Sequence, residues 1–314
     1  MGITVVQAAN LTDAAEARRV ATGLAARLGF PKDREGRVAL VATEAATNAV
    51  RHGGGGEVLV GEVVSGGRAG VEIIALDKGS GMPDVERSMQ DGYSTAGSAG
   101  TGLGAIRRLS SECAIYSAPG KGTAVLARIF ASDAPPGRET GDLDIGGVAV
   151  PVRGEALCGD GWAAGPDPCG ATLMVSDGLG HGPAAADASR AAESTFRQYH
   201  RELAPAELMH RIHGALRSTR GAAVALARLC TDTRQVRFLG VGNISGAVIG
   251  RSGIKQMVSH PGTVGLEMHR VQEFTYEYPG DALVVLHSDG IVTNWSLDGY
   301  PRIEIGRASC REIV

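Results

Sequence analysis

The chain has 314 residues, enough for two domains that each bury a core, and its 43% hydrophobic and 21% charged residues are ordinary for a globular protein. A net charge of −3 gives no basic field for nucleic acid or an anionic membrane surface, and no apolar run approaches the roughly 20 residues that span a bilayer. Aromatics are only 4% while glycines number 46, so the core must lean on Ala, Val and Leu, and the chain on many tight turns.

The N-terminus lacks the basic start and apolar stretch of a secretory signal. The opening Met-Gly fails as a myristoylation start because Val6 stands where Ser or Thr is wanted. From there the pattern predicts a strand (3–8), helices (13–29 and 33–52), strands (57–64 and 70–77), a long loop, a helix (102–110) and strands (112–117 and 122–130). Asp13 and Glu16 are spaced as a capping pair for the first helix. Residues 132–143, SDAPPGRETGDL, carry two prolines and two glycines with no apolar period and read as a linker. Beyond it, helices are expected near 183–199 and 205–218 among short strands such as AAVALARL, QVRFLGVG, SGAVIG and DALVVLHS, a pattern of sheet packed on sheet with helices outside. Five cysteines without a C-x-x-C pair read as reduced thiols of a cytoplasmic protein.

Three boxes in the first half point to a nucleotide. Glu44 and Asn48 lie four apart on the second predicted helix and share one face, where a carboxylate and an amide oxygen one turn apart can serve a Mg²⁺ ion and a nearby base. Asp77 ends a strand and is followed by Gly79 and Gly81; such an Asp can accept from the exocyclic amine of adenine while the glycines let backbone approach a flat ligand. Gly100, Gly102 and Gly104 open a helix, where free N–H groups and the helix dipole favour an anion. A fourth element, Gly120 to Thr123, turns into the last strand. The dinucleotide fingerprint fails because a polar stretch, not a strand, precedes Gly100, and a Walker loop fails because Gly122 follows Lys121.

In this order and spacing the boxes resemble the GHKL ATPase superfamily, and within it the small bacterial anti-sigma-factor kinases of the RsbW and RsbT group. The resemblance covers residues 1–131 and implies a Bergerat-type α/β sandwich binding ATP with Mg²⁺. It makes Glu44 the base, Asn48 the Mg²⁺ ligand and Asp77 the adenine contact, with Gly79, Gly81, Gly100, Gly102, Gly104 and Thr123 around the nucleotide and 82–99 as a lid. His52 is open between a phosphate-side role and capping the helix end. A sensor histidine kinase would need an acceptor histidine ahead of Glu44, and none is there.

The second half carries three Asp-Gly sites at predicted strand ends: Asp160-Gly161, Asp177-Gly178 and Asp289-Gly290. One such pair is an ordinary turn, but three supply the hard oxygen ligands that Mg²⁺ or Mn²⁺ wants. The runs RGEALCGDGW, VSDGLGHGPAA and FLGVGNISGAVI, with the stretch from Val271 to Trp295, resemble the SpoIIE-like branch of the metal-dependent PPM serine/threonine phosphatases over 144–304. That resemblance implies an α-β-β-α sandwich and two Mn²⁺ or Mg²⁺ ions, with Asp160, Asp177, the Gly178 carbonyl and Asp289 as ligands. It leaves Asn243 between shaping a loop and a direct role, and His181 between phosphate and turn; Cys158 and Cys169 lack metal spacing. The family closes with a strand bearing Asp-Asp-Ala-Thr, which is missing; residues 305–314 look instead like translated sequencing adapter, so the domain is expected to be incomplete and the tail non-native.

Together the two halves form an α+β chain and imply a bacterial partner-switching regulator. Its partner would be an anti-anti-sigma (STAS-type) phosphoprotein or an anti-sigma factor, with a homodimer left open and neither nucleic acid nor membrane involved. The rival reading is a non-catalytic, nucleotide-gated binding module that holds a partner and biases the phosphatase.

Overall fold

The computed structural model describes residues 2–65, 68–89, 102–133, 143, 145–152, 154–155, 157–250, 253–280, 282–292, 295–297 and 299–300. Gly100, much of the expected lid, most of the expected linker and the adapter-like tail lie outside these residues. The chain divides into two units, Met1–Gly137 and Arg138–Val314.

In the first unit the chain runs β1 (Thr4–Ala8), α1 (Asp13–Arg27), α2 (Lys32–Gly53), β2 (Gly56–Ser65), β3 (Arg68–Asp77), α3 (Val85–Ser88), α4 (Gly102–Leu109), β4 (Glu112–Ser117) and β5 (Thr123–Phe130). The strands form one antiparallel sheet in the order β1-β2-β3-β5-β4. Helix α1 buries Ala14, Ala17, Ala21 and Ala25, and α2 buries Val38, Val41, Ala42, Ala45, Ala46 and Ala49, at the three- and four-residue spacing of one helical face. Small side chains let these helices lie close on the Val and Ile of the central strands, which is how a core with few aromatics still closes. On the opposite face of the sheet, Arg128 bridges Glu72 at 2.7 Å and Glu112 at 3.2 Å, beside a cluster of Leu59, Ile74 and Leu126. The expected cap pair at α1 is not formed. The Asp13 carboxylate reaches back to accept from the Ala9 and Asn10 N–H groups, at 2.8 and 2.9 Å, and Glu16 pairs with Arg19. Asp13 is already the first helical residue, so its carboxylate serves the preceding turn rather than the helix.

The second unit runs β6 (Asp160–Asp167), β7 (Gly170–Gly178), α5 (Pro183–Tyr199), α6 (Pro205–Leu216), β8 (Ala222–Cys230), β9 (Gln235–Val241), β10 (Ser245–Gly250), β11 (Gly253–Met257), β12 (Ser259–His260), β13 (Phe274–Glu277) and β14 (Leu283–His287). A six-stranded sheet, β12-β9-β8-β7-β6 with β13 also on β9, faces a three-stranded sheet, β11-β10-β14. Strand β8 reads as a continuous apolar run because both its faces are covered. Ala222, Val224 and Leu226 join the core with Phe196, Leu208 and Ile212 of the helices, while Ala223, Ala225 and Ala227 join Val248 and Leu286 between the sheets. Among the described residues the expected α-β-β-α sandwich therefore shows helix, sheet and sheet; Trp295 and Leu297 pack on Ala247, Ile249 and Val285 at the three-stranded sheet. The expectation of reduced thiols throughout is overturned at one pair. Cys169 and Cys230 form a disulfide with Cα atoms 4.7 Å apart, because the β7–β8 register sets Gly170 opposite Cys230, and Cys113 and Cys158 are free. No helix among the described residues is long and apolar enough to cross a membrane.

Phe238 on β9 is fully buried between the two sheets, in space that Gly240 and Gly246 leave open. Phe238→Ala should destabilise the second unit by about 3–5 kcal/mol, and Phe238→Leu by much less. Equilibrium denaturation of the full chain reads this; a loss under about 1 kcal/mol for the alanine variant would contradict the two-sheet core.

Candidate functional site

In the first unit the three expected boxes meet at one end of the sheet. Asp77 ends β3, and its Oδ1 accepts from the backbone N–H of Gly79 at 2.8 Å and of Thr123 at 3.2 Å. Oδ2 makes no hydrogen bond among the described residues, which leaves it to accept from a ligand amine. The glycines nearby are there for close approach: a Cβ at Gly79 would lie 2.6 Å from the His52 carbonyl oxygen, and one at Gly81 would lie 1.9 Å from that of Ala118. Glu44 and Asn48 face the start of α4, where a Cβ on Gly102 would stand 3.0 Å from Glu44 Oε2 and 3.1 Å from Asn48 Oδ1. Gly104 is buried in the same helical turn. Among the described residues Asn48 Nδ2 is buried without a partner, and such an orphan costs about 1–3 kcal/mol. A carboxylate, an unsatisfied amide and a glycine helix start at one point have the chemistry to meet the phosphates of Mg²⁺·ATP.

In the second unit the β6–β7 register sets Asp160 directly opposite Asp177, and Asp289 follows β14. The Gly178 N–H donates to Gly159 O at 3.1 Å, which holds the end of β7 against the residue before Asp160. Burial first, then the charges of Asp160 and Asp289, push the Asp177 carboxyl from the ordinary range up to about 6; a hydrogen bond with Asp160 adds to this and one from Asn243 opposes it. Among the described residues no three Asp, Glu, His or Cys groups form a ready-made metal cage. The donor set nonetheless has the chemistry of a hard-cation site: three crowded carboxylates that a divalent ion would relieve. Burial pushes the Cys158 thiol up; a hydrogen bond with the Asp160 backbone opposes this, and the charges of Asp160 and Asp177 add to it.

Sequence reasoning assigned no orienting role to Ser288, and it singled out Asn243 without its partner. Ser288 Oγ donates to Asp160 Oδ2 at 2.7 Å, and Asn243 Nδ2 donates to Asp289 Oδ2 at 2.8 Å. His287 is held by Trp295 Nε1–H on its Nε2 and faces the Ser288 carbonyl through Nδ1, which fixes the backbone that carries Ser288. In the first unit, Ser117 Oγ accepts from Met82 N–H, donates to Gly122 O and adjoins Thr123 Oγ1, tying the Asp77 loop to β4. Ser288 and Asn243 lie inside runs already notable in the sequence; their partners are far along the chain. His181 pairs with Glu155 at 2.7 Å, which favours its turn-holding role.

Comparison with known proteins follows the same division. The histidine kinase-like ATPase domain family matches residues 7–129, and the family described as Stage II sporulation protein E (SpoIIE) matches residues 168–303. The chain is similar to the serine/threonine-protein kinase RsbT of Bacillus subtilis, with 36% identity over 37% of this chain and 86% of that one. It is similar to the anti-sigma F factor of Thermoanaerobacter sp., with 31% identity over 37% of this chain and 85% of that one. It is also similar to the phosphoserine phosphatase RsbX of Bacillus subtilis, with 25% identity over 44% of this chain and 70% of that one.

The raised Asp177 group makes a pH prediction. Above pH 6 the carboxylate is charged in both states and the folded form bears the repulsion. As pH falls through 6 towards the unfolded value near ~4, the folded form takes up a proton the unfolded chain does not, and the second unit gains stability. Without divalent ions, Asp177→Asn should therefore raise the melting temperature at pH 7.5 and raise it much less at pH 5. A gap between variant and wild type that does not change with pH would contradict the assignment.

Proposed function

The chain belongs to the histidine kinase-like ATPase family through residues 7–129, joined to a SpoIIE domain over residues 168–303, and we propose that the two set the phosphorylation state of one partner-switch protein. The SpoIIE domain is a serine/threonine phosphatase whose substrate is a small anti-anti-sigma (STAS-type) phosphoprotein, on which a phosphate adds about −1.5 to −2 charge to a binding surface. The ATPase domain engages the same switch, or its anti-sigma factor, in the cytoplasm, and residues 132–143 serve as the linker between them. The observation that carries this reading is the meeting of Asp160, Asp177 and Asp289 at the strand ends of the second unit.

Bound Mg²⁺ or Mn²⁺ supplies positive charge for the phosphoryl oxygens and makes a water more acidic. This chain's residues do the rest. Asp160, Asp177 and Asp289 would hold the ions, with the Gly178 carbonyl as a further oxygen. Ser288 and Asn243 each donate to one of these carboxylates and so fix its orientation. In the ATPase domain Asp77 would select adenine through its second carboxylate oxygen, Asn48 would hold the ion that accompanies ATP, and Glu44 would take the proton from an attacking hydroxyl. Gly102 and Gly104 offer N–H groups to the phosphates.

Two measurements test the reading. The full chain should hydrolyse a phosphoserine peptide only with Mn²⁺ or Mg²⁺ present, and Asp160→Asn or Asp289→Asn should reduce kcat on the order of 100-fold or more; hydrolysis that survives chelation would contradict it. Asp77→Asn should weaken ADP binding by about 1.5–3 kcal/mol in calorimetry, and Glu44→Ala should leave ADP affinity nearly unchanged while stopping phosphate transfer. A wild-type chain that binds ADP and transfers phosphate to no candidate switch protein would mark the ATPase domain as a nucleotide-gated binding module.

A further inference from the structure

The loop that follows Asp177 has a cation beside it that no role above uses. The Leu179 N–H donates to the Gly221 carbonyl at 3.0 Å, so the loop Asp177–Gly182 lies along the turn that leads into β8. Gly178 pairs with Ala222 in the sheet, which brings Arg220 level with Gly180. A Cβ on Gly180 would stand 3.3 Å from Arg220 Nη1, and Gly180 has φ +90, so the guanidinium rests over bare backbone. Arg220 is exposed and makes no hydrogen bond or ion pair among the described residues. It is not among the groups that act on Asp177, whose neighbours are Asp160, Asp289 and Asn243. The loop's own His181 is occupied by Glu155. Leu179 and Leu266, both exposed, flank the same turn, with Leu266 Cγ 3.3 Å from where a Cβ on Gly221 would be.

We propose that Arg220 binds the phosphoryl group of the phosphatase substrate, its guanidinium taking phosphoryl oxygens on the side away from the carboxylates. The proposal rests on the phosphatase reading of the second unit. Three aspartates can bind ions but repel a phosphate, so a substrate dianion needs a donor that is not a carboxylate. A planar guanidinium with several N–H groups gives two parallel hydrogen bonds to a phosphate, which a solvated ammonium does not. A phosphate carried on a protein brings apolar neighbours with it, and the exposed leucines on either side of Arg220 can receive them.

The test uses the full chain with Mn²⁺ and three probes: para-nitrophenyl phosphate, a phosphoserine peptide, and inorganic phosphate as a product inhibitor. Arg220→Ala should raise KM for both substrates and the inhibition constant for phosphate roughly ten-fold or more, with a smaller change in kcat. Arg220→Lys should recover part of the loss. The Mn²⁺ concentration for half-activation and the melting temperature should stay at wild-type values in both variants, which separates phosphate binding from a structural role. Unchanged KM and phosphate inhibition in an active Arg220→Ala protein would overturn the proposal alone. A wild-type chain with no metal-dependent hydrolysis would overturn the phosphatase reading and Arg220 with it.

Discussion

The second unit is organised by the repulsion among carboxylates that its own sheet register brings together. The β6–β7 pairing sets Asp160 opposite Asp177, and the end of β14 adds Asp289. Two strands in antiparallel register cannot separate residues that face each other, so the charge crowding is built into the backbone rather than into movable side chains. The folded chain meets it by holding the Asp177 proton up to about pH 6 and by turning Ser288 and Asn243 onto Asp160 and Asp289. A divalent cation would replace both compensations at once, and this makes the strain itself a statement about the ligand.

The first unit carries a milder form of the same logic. Among the described residues one Asp77 oxygen makes no hydrogen bond, and the Asn48 amide Nδ2, opposite the glycine start of α4, is buried without a partner. A side chain at Gly79 would crowd the His52 carbonyl and Asp77, and one at Gly102 would crowd Glu44 and Asn48, so both glycines keep the space beside these groups clear. Both units thus give up local stability at their candidate sites, where a bound ligand would restore it.

Most of the fold was legible because periodicity and punctuation agreed. The Ala and Val spacing of α1 and α2, the glycine-bounded strands β2 and β3, and the apolar runs of β8 to β10 are local signals, and the elements fall where those signals lie. The candidate aspartates were legible for a related reason, since each sits at a strand end followed by glycine. What the chain hid were contacts across long separations. Ser288 on Asp160, Asn243 on Asp289 and the Cys169–Cys230 disulfide depend on which strands pair, and no spacing in the chain announces that. The cap at α1 failed for the opposite reason: Asp13 had two local partners to choose from, and the preceding turn offered two N–H groups.

The central claim is that Asp160, Asp177 and Asp289 together make a divalent-metal site. Binding of Mn²⁺ to the nucleotide-free full chain, followed by loss of the free-ion paramagnetic resonance signal at pH 5 and pH 7.5, tests it most directly. The account predicts binding that strengthens from pH 5 to pH 7.5 as Asp177 loses its proton, and that is lost in Asp160→Asn. Binding of equal strength at both pH values, retained in that variant, would contradict it.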